Sequence, residues 1–299
     1  MGYLFWAISL LAGVIKGYCG KMTSGYVQGY KDAMLANTVR MTLCVFLGLG
    51  LMAVNGSLAD IRPTVSVLAV SALSGIATSV SVVSWLISVK RGAYMMLDVF
   101  SMLGILIPLI AGKVFFGETV KGTQWLGIAI LFVAVCIMCS YNNSIKERIT
   151  FTSLLLLITC GAANGLTDFS QKLFVKIAVD TPIAVFNFYT YIFSALTLFV
   201  FLCIFREKST PENTEKSSSC IKQIFGYILV MAICLFANSY FKTMAAGYLD
   251  SAQLYPLNQG SNLILSSIMS AVLFHERLTV KCVTGLCISF VGLLVLNVL

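Results

Sequence analysis

Of the 299 residues, 59% are hydrophobic and only 11% charged, with a formal net charge of +8 and a mean hydropathy of +0.92. A soluble domain carries about 25% charged residues; no aqueous fold could bury this much apolar surface, so the main solvent must be lipid. The basic balance does not point to nucleic acid, because Lys and Arg sit largely at the ends of apolar runs, where they orient helices and meet headgroups.

A spanning helix needs about 20 mostly apolar residues. Such runs cover Gly2–Lys21, Ala33–Val54, Thr64–Val89, Ala93–Phe115, Thr123–Cys139, Thr150–Phe174, Pro182–Phe205, Ile224–Ala246, Ser251–Phe274 and Val280–Leu299. They are about twice the length of a barrel strand and do not alternate, so they are read as helices. The predicted fold class is therefore all-α integral membrane, with ten transmembrane helices. Tyr141–Arg148 makes a polar break near the midpoint. Arg206–Lys222, which contains Pro211 and Ser217–Ser219, is read as a flexible exposed loop. Cysteines such as Cys44, Cys160 and Cys234 lie inside apolar runs, where they act as small hydrophobes rather than as a disulfide framework.

The scarce polar residues of these runs carry the functional signal, because an ionised group in a bilayer usually faces a bundle interior or a wet cavity. In the first span Lys16 lies beside Gly13, Gly17 and Gly20, about fifteen residues in, too deep to reach an interface easily. The third span carries Ser74, Thr78, Ser81, Ser84 and Ser88 on one side, a pattern that favours helix packing. In the fourth, Asp98 is a lone acid whose partner could be Lys16 or Lys242. In the sixth, Asn164, Asp168 and Lys172 recur every four residues and share a face, with Asp168 placed to pair with Lys172. Asn187 and Tyr191 share a face of the seventh span, and Asn238 and Lys242 one of the eighth. In the ninth, Tyr255, Gln259, Asn262 and Ser266 form another polar stripe. Each group has a structural alternative, as a self-satisfied pair or as hydrogen-bonding glue between helices. The predicted substrate pathway runs along Lys16, Asp98, Asn164, Asp168, Lys172, Asn187, Asn238, Lys242, Tyr255, Gln259 and Asn262. The excess of Lys16, Lys172 and Lys242 over Asp98 and Asp168 tilts the expected solute towards an anion or a zwitterion, such as an amino acid. Asp98 and Asp168 are the candidates for coupling to a proton, because an intramembrane carboxylate can titrate.

The two halves repeat each other. Phe116-Gly117-Glu118-Thr119 is echoed 158 residues later by Phe274-His275-Glu276-Arg277, and at the same shift Gly127 meets Gly285 and Val133 meets Val291. At a shift of 148, Gly13 and Gly17 meet Gly161 and Gly165. Five spans is an odd number, so two such halves joined directly enter the bilayer from opposite sides. That is an inverted repeat, an arrangement that places transporter sites between the repeats.

Phe116-Gly117-Glu118 with Gly127, and His275-Glu276-Arg277-Leu278-Thr279 with Gly285, resemble the ends of two EamA-type repeats of the drug/metabolite transporter superfamily. The resemblance implies an EamA-like five-helix repeat over residues 1–140, a second over 150–299, and transport of a small metabolite. The uncharged start Met1-Gly2-Tyr3-Leu4 departs from the basic N-terminus common in that family. Glu118 and Glu276, at span ends, are read as helix caps rather than substrate ligands.

The expected activity is that of a secondary carrier working by alternating access in the cell membrane. Its expected partners are a small solute, the bilayer and a coupled proton or other ion, with no cofactor or metal. A membrane-embedded enzyme acting on lipid is the alternative, disfavoured by a single histidine, His275; a non-transporting scaffold is the third reading. Gly20-Lys21 lacks the earlier spaced glycine of a P-loop, so ATP-driven pumping within the chain is not expected. Lys and Arg are concentrated in the loops that lie across the bilayer from the termini, which favours termini outside; the family resemblance favours termini inside.

Overall fold

A computed structural model of the chain describes residues 1–27, 30–61, 63–90, 100–102, 104–139, 151–204, 211–273 and 280–298. Among the described residues there are no strands. The α-helices are α1 (Gly2–Ser24), α2 (Tyr30–Val54), α3 (Val65–Lys90), α4 (Leu106–Phe116), α5 (Gly122–Cys139), α6 (Phe151–Ile177), α7 (Ile183–Ile204), α8 (Pro211–Tyr248), α9 (Ser251–Leu273) and α10 (Val280–Val298). A short 3-10 turn, Ser57–Ile61, follows α2.

Six described stretches are long and apolar enough to cross a membrane: Gly2–Ser24, Lys31–Val54, Val65–Ser88, Phe151–Ile177, Ile183–Ile204 and Gln223–Tyr248. Gly122–Ala134 and Val283–Leu296 are shorter apolar helices. α9 has the length of a span but not the hydropathy, because Gln253, Asn258, Gln259 and Asn262 interrupt it.

The expected flexible loop at Arg206–Lys222 is corrected in part. Residues 211–222 are helical and form the first turns of α8, a helix of 38 residues. The physical reason is local: Pro211 occupies the first helical position, where its missing N–H costs nothing, and Glu212, Glu215 and Lys216 are good helix formers. The break at Tyr141–Arg148, Asp98 and the echo Phe274–Arg277 lie outside the described residues.

Packing joins helices that are distant in sequence. α1 lies against α8, α3 against α6 and α7, α2 against α7 and α8, and α5 against α10. One apolar core gathers Met102, Leu109, Leu131, Leu254, Tyr255 and Leu296 from the α4, α5, α9 and α10 side. A second gathers Met41, Leu86, Tyr191, Leu198 and Ala232 from α2, α3, α7 and α8. Small residues set the closest approaches: a Cβ on Gly161 would fall on the Phe100 carbonyl, and one on Gly165 on the Gly104 carbonyl. Gly117 ends α4 in the left-handed conformation, at φ 64°, which lets Glu118 N–H reach back to the Gly112 carbonyl at 3.1 Å. That turn aims the Glu118 side chain inward.

Candidate functional site

The polar groups carried by the apolar helices converge on one volume. A cavity of about 150 Å³ lies between α1, α2, α3, α6, α7, α8 and α9. One water takes up about 10–15 Å³ of such space, so the cavity has room for on the order of ten waters, or for a solute of that size. Lys16 faces it from α1, Arg40 from α2, and Thr78, Ser81 and Trp85 from α3. Asn164, Thr167 and Gln171 line it from α6, and Tyr191 from α7. Asn238, Ser239 and Lys242 on α8 and Asn258, Gln259, Asn262 and Ser266 on α9 complete the polar wall. Gly13 keeps part of the space open, since a Cβ there would lie 3.1 Å from Asn238 Nδ2 and 3.3 Å from Asn262 Oδ1.

The polar stripe of α6 splits between three tasks. Asn164 stands on the cavity wall; it accepts a hydrogen bond from Ser81 Oγ at 2.7 Å and donates one to Ser101 Oγ at 3.2 Å. Asp168, one turn further on, is 2% exposed and pairs with Lys242 of α8 at 2.5 Å. The expected pairing of Asp168 with Lys172 is therefore corrected: the acid and the base of the stripe each find a partner outside α6. Lys172 turns to the end of the bundle, where Nζ pairs with Glu118 Oε1 at 2.9 Å. There it also donates to the Ala246 and Leu249 carbonyls, at 3.2 and 2.8 Å, at the C-terminus of α8. Those carbonyls have no partner within their own helix, and a cation is what they attract. Asp98, with Lys16 or Lys242 as its suggested partner, lies outside the described residues.

Glu118 completes this junction. Its Oε2 accepts the Ser251 N–H at 3.0 Å, so it caps α9, a helix more than a hundred residues away in sequence. Burial pushes its carboxyl up, but the hydrogen bonds and charge of Lys172 and the bonds from Ser251 outweigh that and hold it below the ordinary glutamate value.

A second layer of bonds fixes the wall. Tyr255 donates to the Asp168 carbonyl at 2.7 Å. Gln171 donates to Ser239 at 3.2 Å, and Ser239 to Asn187 Oδ1 at 2.7 Å. Asn238 Nδ2 donates to the Ser9 carbonyl at 2.7 Å, while Ser9 Oγ donates to the Asn238 carbonyl at 3.0 Å. Of the residues singled out from sequence, Lys16, Asn164, Asn238, Lys242, Gln259 and Asn262 stand on the wall. Asp168 and Asn187 sit one bond behind it, and Tyr255 one bond further, on the Asp168 carbonyl. Lys172 belongs to the junction between α8 and α9, and Asp98 lies outside the described residues.

Sequence reasoning missed Arg40. It is 4% exposed, lines the cavity, and its buried Nε has no hydrogen-bond partner. The available signal was an arginine inside the apolar run Ala33–Val54. Among the described residues, neither Lys16 nor Arg40 shares in the ion pairs of the bundle, and Lys16 is close enough to Arg40 and Lys242 to feel both charges. Thr78 and Ser81, expected to serve packing, are part of the wall, while Ser79 joins α3 to α7 through Ser194 Oγ at 2.8 Å. Cys136 on α5 is an exposed free thiol away from the wall. Among the described residues no group of three His, Cys, Asp or Glu could hold a metal ion.

Residues 151–298 match the EamA-like transporter family. No curated protein matches the chain. Twenty-eight chains of solved structure match it. One of them, a crystal structure described only as that of a protein, has a TM-score of 0.73 and 12% identity, over 99% of this chain and 96% of its own. At that identity the likeness concerns the fold alone.

Proposed function

Because the chain belongs to the EamA-like transporter family, we propose that this multi-pass membrane protein is a secondary carrier that moves a small anionic or zwitterionic solute across the cell membrane by alternating access. The observation that carries the reading is the cavity of about 150 Å³ among the central helices, walled by cations, amides and hydroxyls. A bundle built only to pack would have no reason to hold so many desolvated polar groups around open space.

The carrier would consist of two inverted five-helix repeats, residues 1–140 and 150–299. The pattern of packing supports this division. Exchanging α1–α5 for α6–α10 turns the α1–α8 contact into α6–α3 and the α3–α7 contact into α8–α2, and leaves α2–α7 and α5–α10 as they are. Helices related in this way can rock about the cavity and expose it first to one side and then to the other. Lys16, Arg40, Asn164, Asn238, Lys242, Gln259 and Asn262 would meet the solute.

Asp168 is the proposed coupling group. Its carboxylate is held by Lys242, a wall residue, so protonation of Asp168 would free Lys242 towards the cavity and link proton binding to solute binding. The test uses proteoliposomes holding the purified chain. A thermal-shift screen against small metabolites first identifies a solute that stabilises it, and uptake of that solute is then driven by a pH gradient. Asp168→Asn is expected to abolish gradient-driven uptake while solute counterflow persists. Undiminished driven uptake by the variant would remove Asp168 from the coupling role. Failure of every stabilising solute to cross would remove the carrier reading itself.

A further inference from the structure

The ionic balance of the cavity narrows the solute. Lys16, Arg40 and Lys242 face the cavity, and among the described residues the one carboxylate within reach is Asp168, already held by Lys242 at 2.5 Å. Among the described residues, three cations against one carboxylate leave two positive charges without a counter-charge. Arg40 is the more telling of the two free cations. Guanidinium keeps its proton, so it cannot escape burial by becoming neutral. It is 4% exposed, deep inside α2, with Nε unpartnered. A buried cation of this kind persists where something else supplies the charge. The other polar groups of the described wall are neutral: amides and hydroxyls, with the Trp85 indole, among them Asn238, Gln259 and Asn262.

We infer that Lys16 and Arg40 form an anion subsite and that the solute is a small organic dianion, a dicarboxylate or a phosphate monoester of on the order of ten non-hydrogen atoms. The inference rests on the carrier reading and deepens it from any small solute to a net negative one. The planar fork of Arg40 matches a carboxylate or phosphate, with Lys16 as a point charge beside it. The amides of α8 and α9 read hydroxyl groups at the other end. A zwitterion fits worse, because no unclaimed carboxylate on the described wall would hold its ammonium. A nucleotide or a lipid is too large for the space.

The experiment titrates the purified full-length chain in detergent with malate, glycerol 3-phosphate, serine and glycerol. It follows melting temperature and the fluorescence of Trp85, which stands on the wall. Malate or glycerol 3-phosphate raises the melting temperature saturably, and which of them does so separates the carboxylate from the phosphate source. Serine and glycerol have no such effect. Arg40→Gln and, as an independent variant, Lys16→Gln weaken the dianion on the order of thirtyfold, while Arg40→Lys loses less. If neither dianion acts, if serine binds more tightly than both, or if both glutamine variants bind undiminished, the subsite is overturned. Counterflow in proteoliposomes separates the two levels. Serine that binds and exchanges leaves a carrier without this subsite; a dianion that binds through Arg40 and never exchanges leaves the subsite without a carrier.

Discussion

Asp168 and Lys242 make a buried ion pair whose value is conditional. Two ions taken out of water gain little net stability from each other, but leaving one alone costs about 3–5 kcal/mol. Glu118 obeys different arithmetic, because it sits at a helix junction with the Lys172 ammonium and the Ser251 N–H on its carboxylate. Its folded pKa lies below the unfolded one. The stability it adds is therefore present above the ordinary glutamate range, near 4.3, and disappears as pH falls through the lowered value. Glu118→Gln is expected to cost about 1–2 kcal/mol at pH 7, with the difference from the parent shrinking as pH falls below about 4.5. Melting in detergent across that range is the measurement; a difference that does not change with pH would dissociate Glu118 from Lys172 and α9. At this scale, the sequence made intramembrane ions visible but not their partners. Asp168 and Lys172 share a helix face, yet α8 offers Asp168 a closer base and offers Lys172 its own open carbonyls. Such choices depend on which helix lies opposite, and spacing along one helix carries no information about that. Arg40 was legible as an oddity of composition; its exposure to a cavity was not.

At the scale of helices, the glycines of α6 control how closely the bundle closes. Gly161 and Gly165 press on the backbone at Phe100 and Gly104, with no room for a Cβ. Gly165→Ala is expected to cost about 1–3 kcal/mol by forcing the two segments apart, more than an alanine at exposed Gly226, where nothing stands within 4 Å. Melting temperatures of the two variants side by side decide this. The match of Gly13 and Gly17 with Gly161 and Gly165 was visible in sequence, but the two pairs do different work. Gly13 spares cavity space beside Asn238 and Asn262, whereas Gly161 admits a neighbouring backbone. The same limit explains the misreading of residues 211–222. Polar composition and Pro211 suggest a loop, and these residues instead suit the start of a helix that continues into the bundle. The low hydropathy of α9 follows from its amides, of which Asn258, Gln259 and Asn262 face the cavity.

At the scale of the whole molecule, strongly apolar runs and their length made an all-helical membrane fold readable, because lipid permits few alternatives. What stayed hidden was how the helices interlock, since α1 on α8 and α3 on α6 are contacts between segments that no local pattern links. One consequence concerns α8, which is clamped at its C-terminal end by Lys172 and continues 38 residues back to Pro211. From Lys242 to Ser217 a helix of this length runs about 37 Å, more than the apolar thickness of a bilayer. It is thus a lever with a fixed fulcrum, touching the cavity close to the pivot and emerging from the lipid at its tip. A tilt of about 5° at the wall becomes a sweep of about 3 Å at Ser217. A pair of spin labels, one on Ser217 and one on exposed Val54 of α2, should register solute binding as a change in their separation, and an unmoved distance distribution would mean that α8 stays still when the cavity fills.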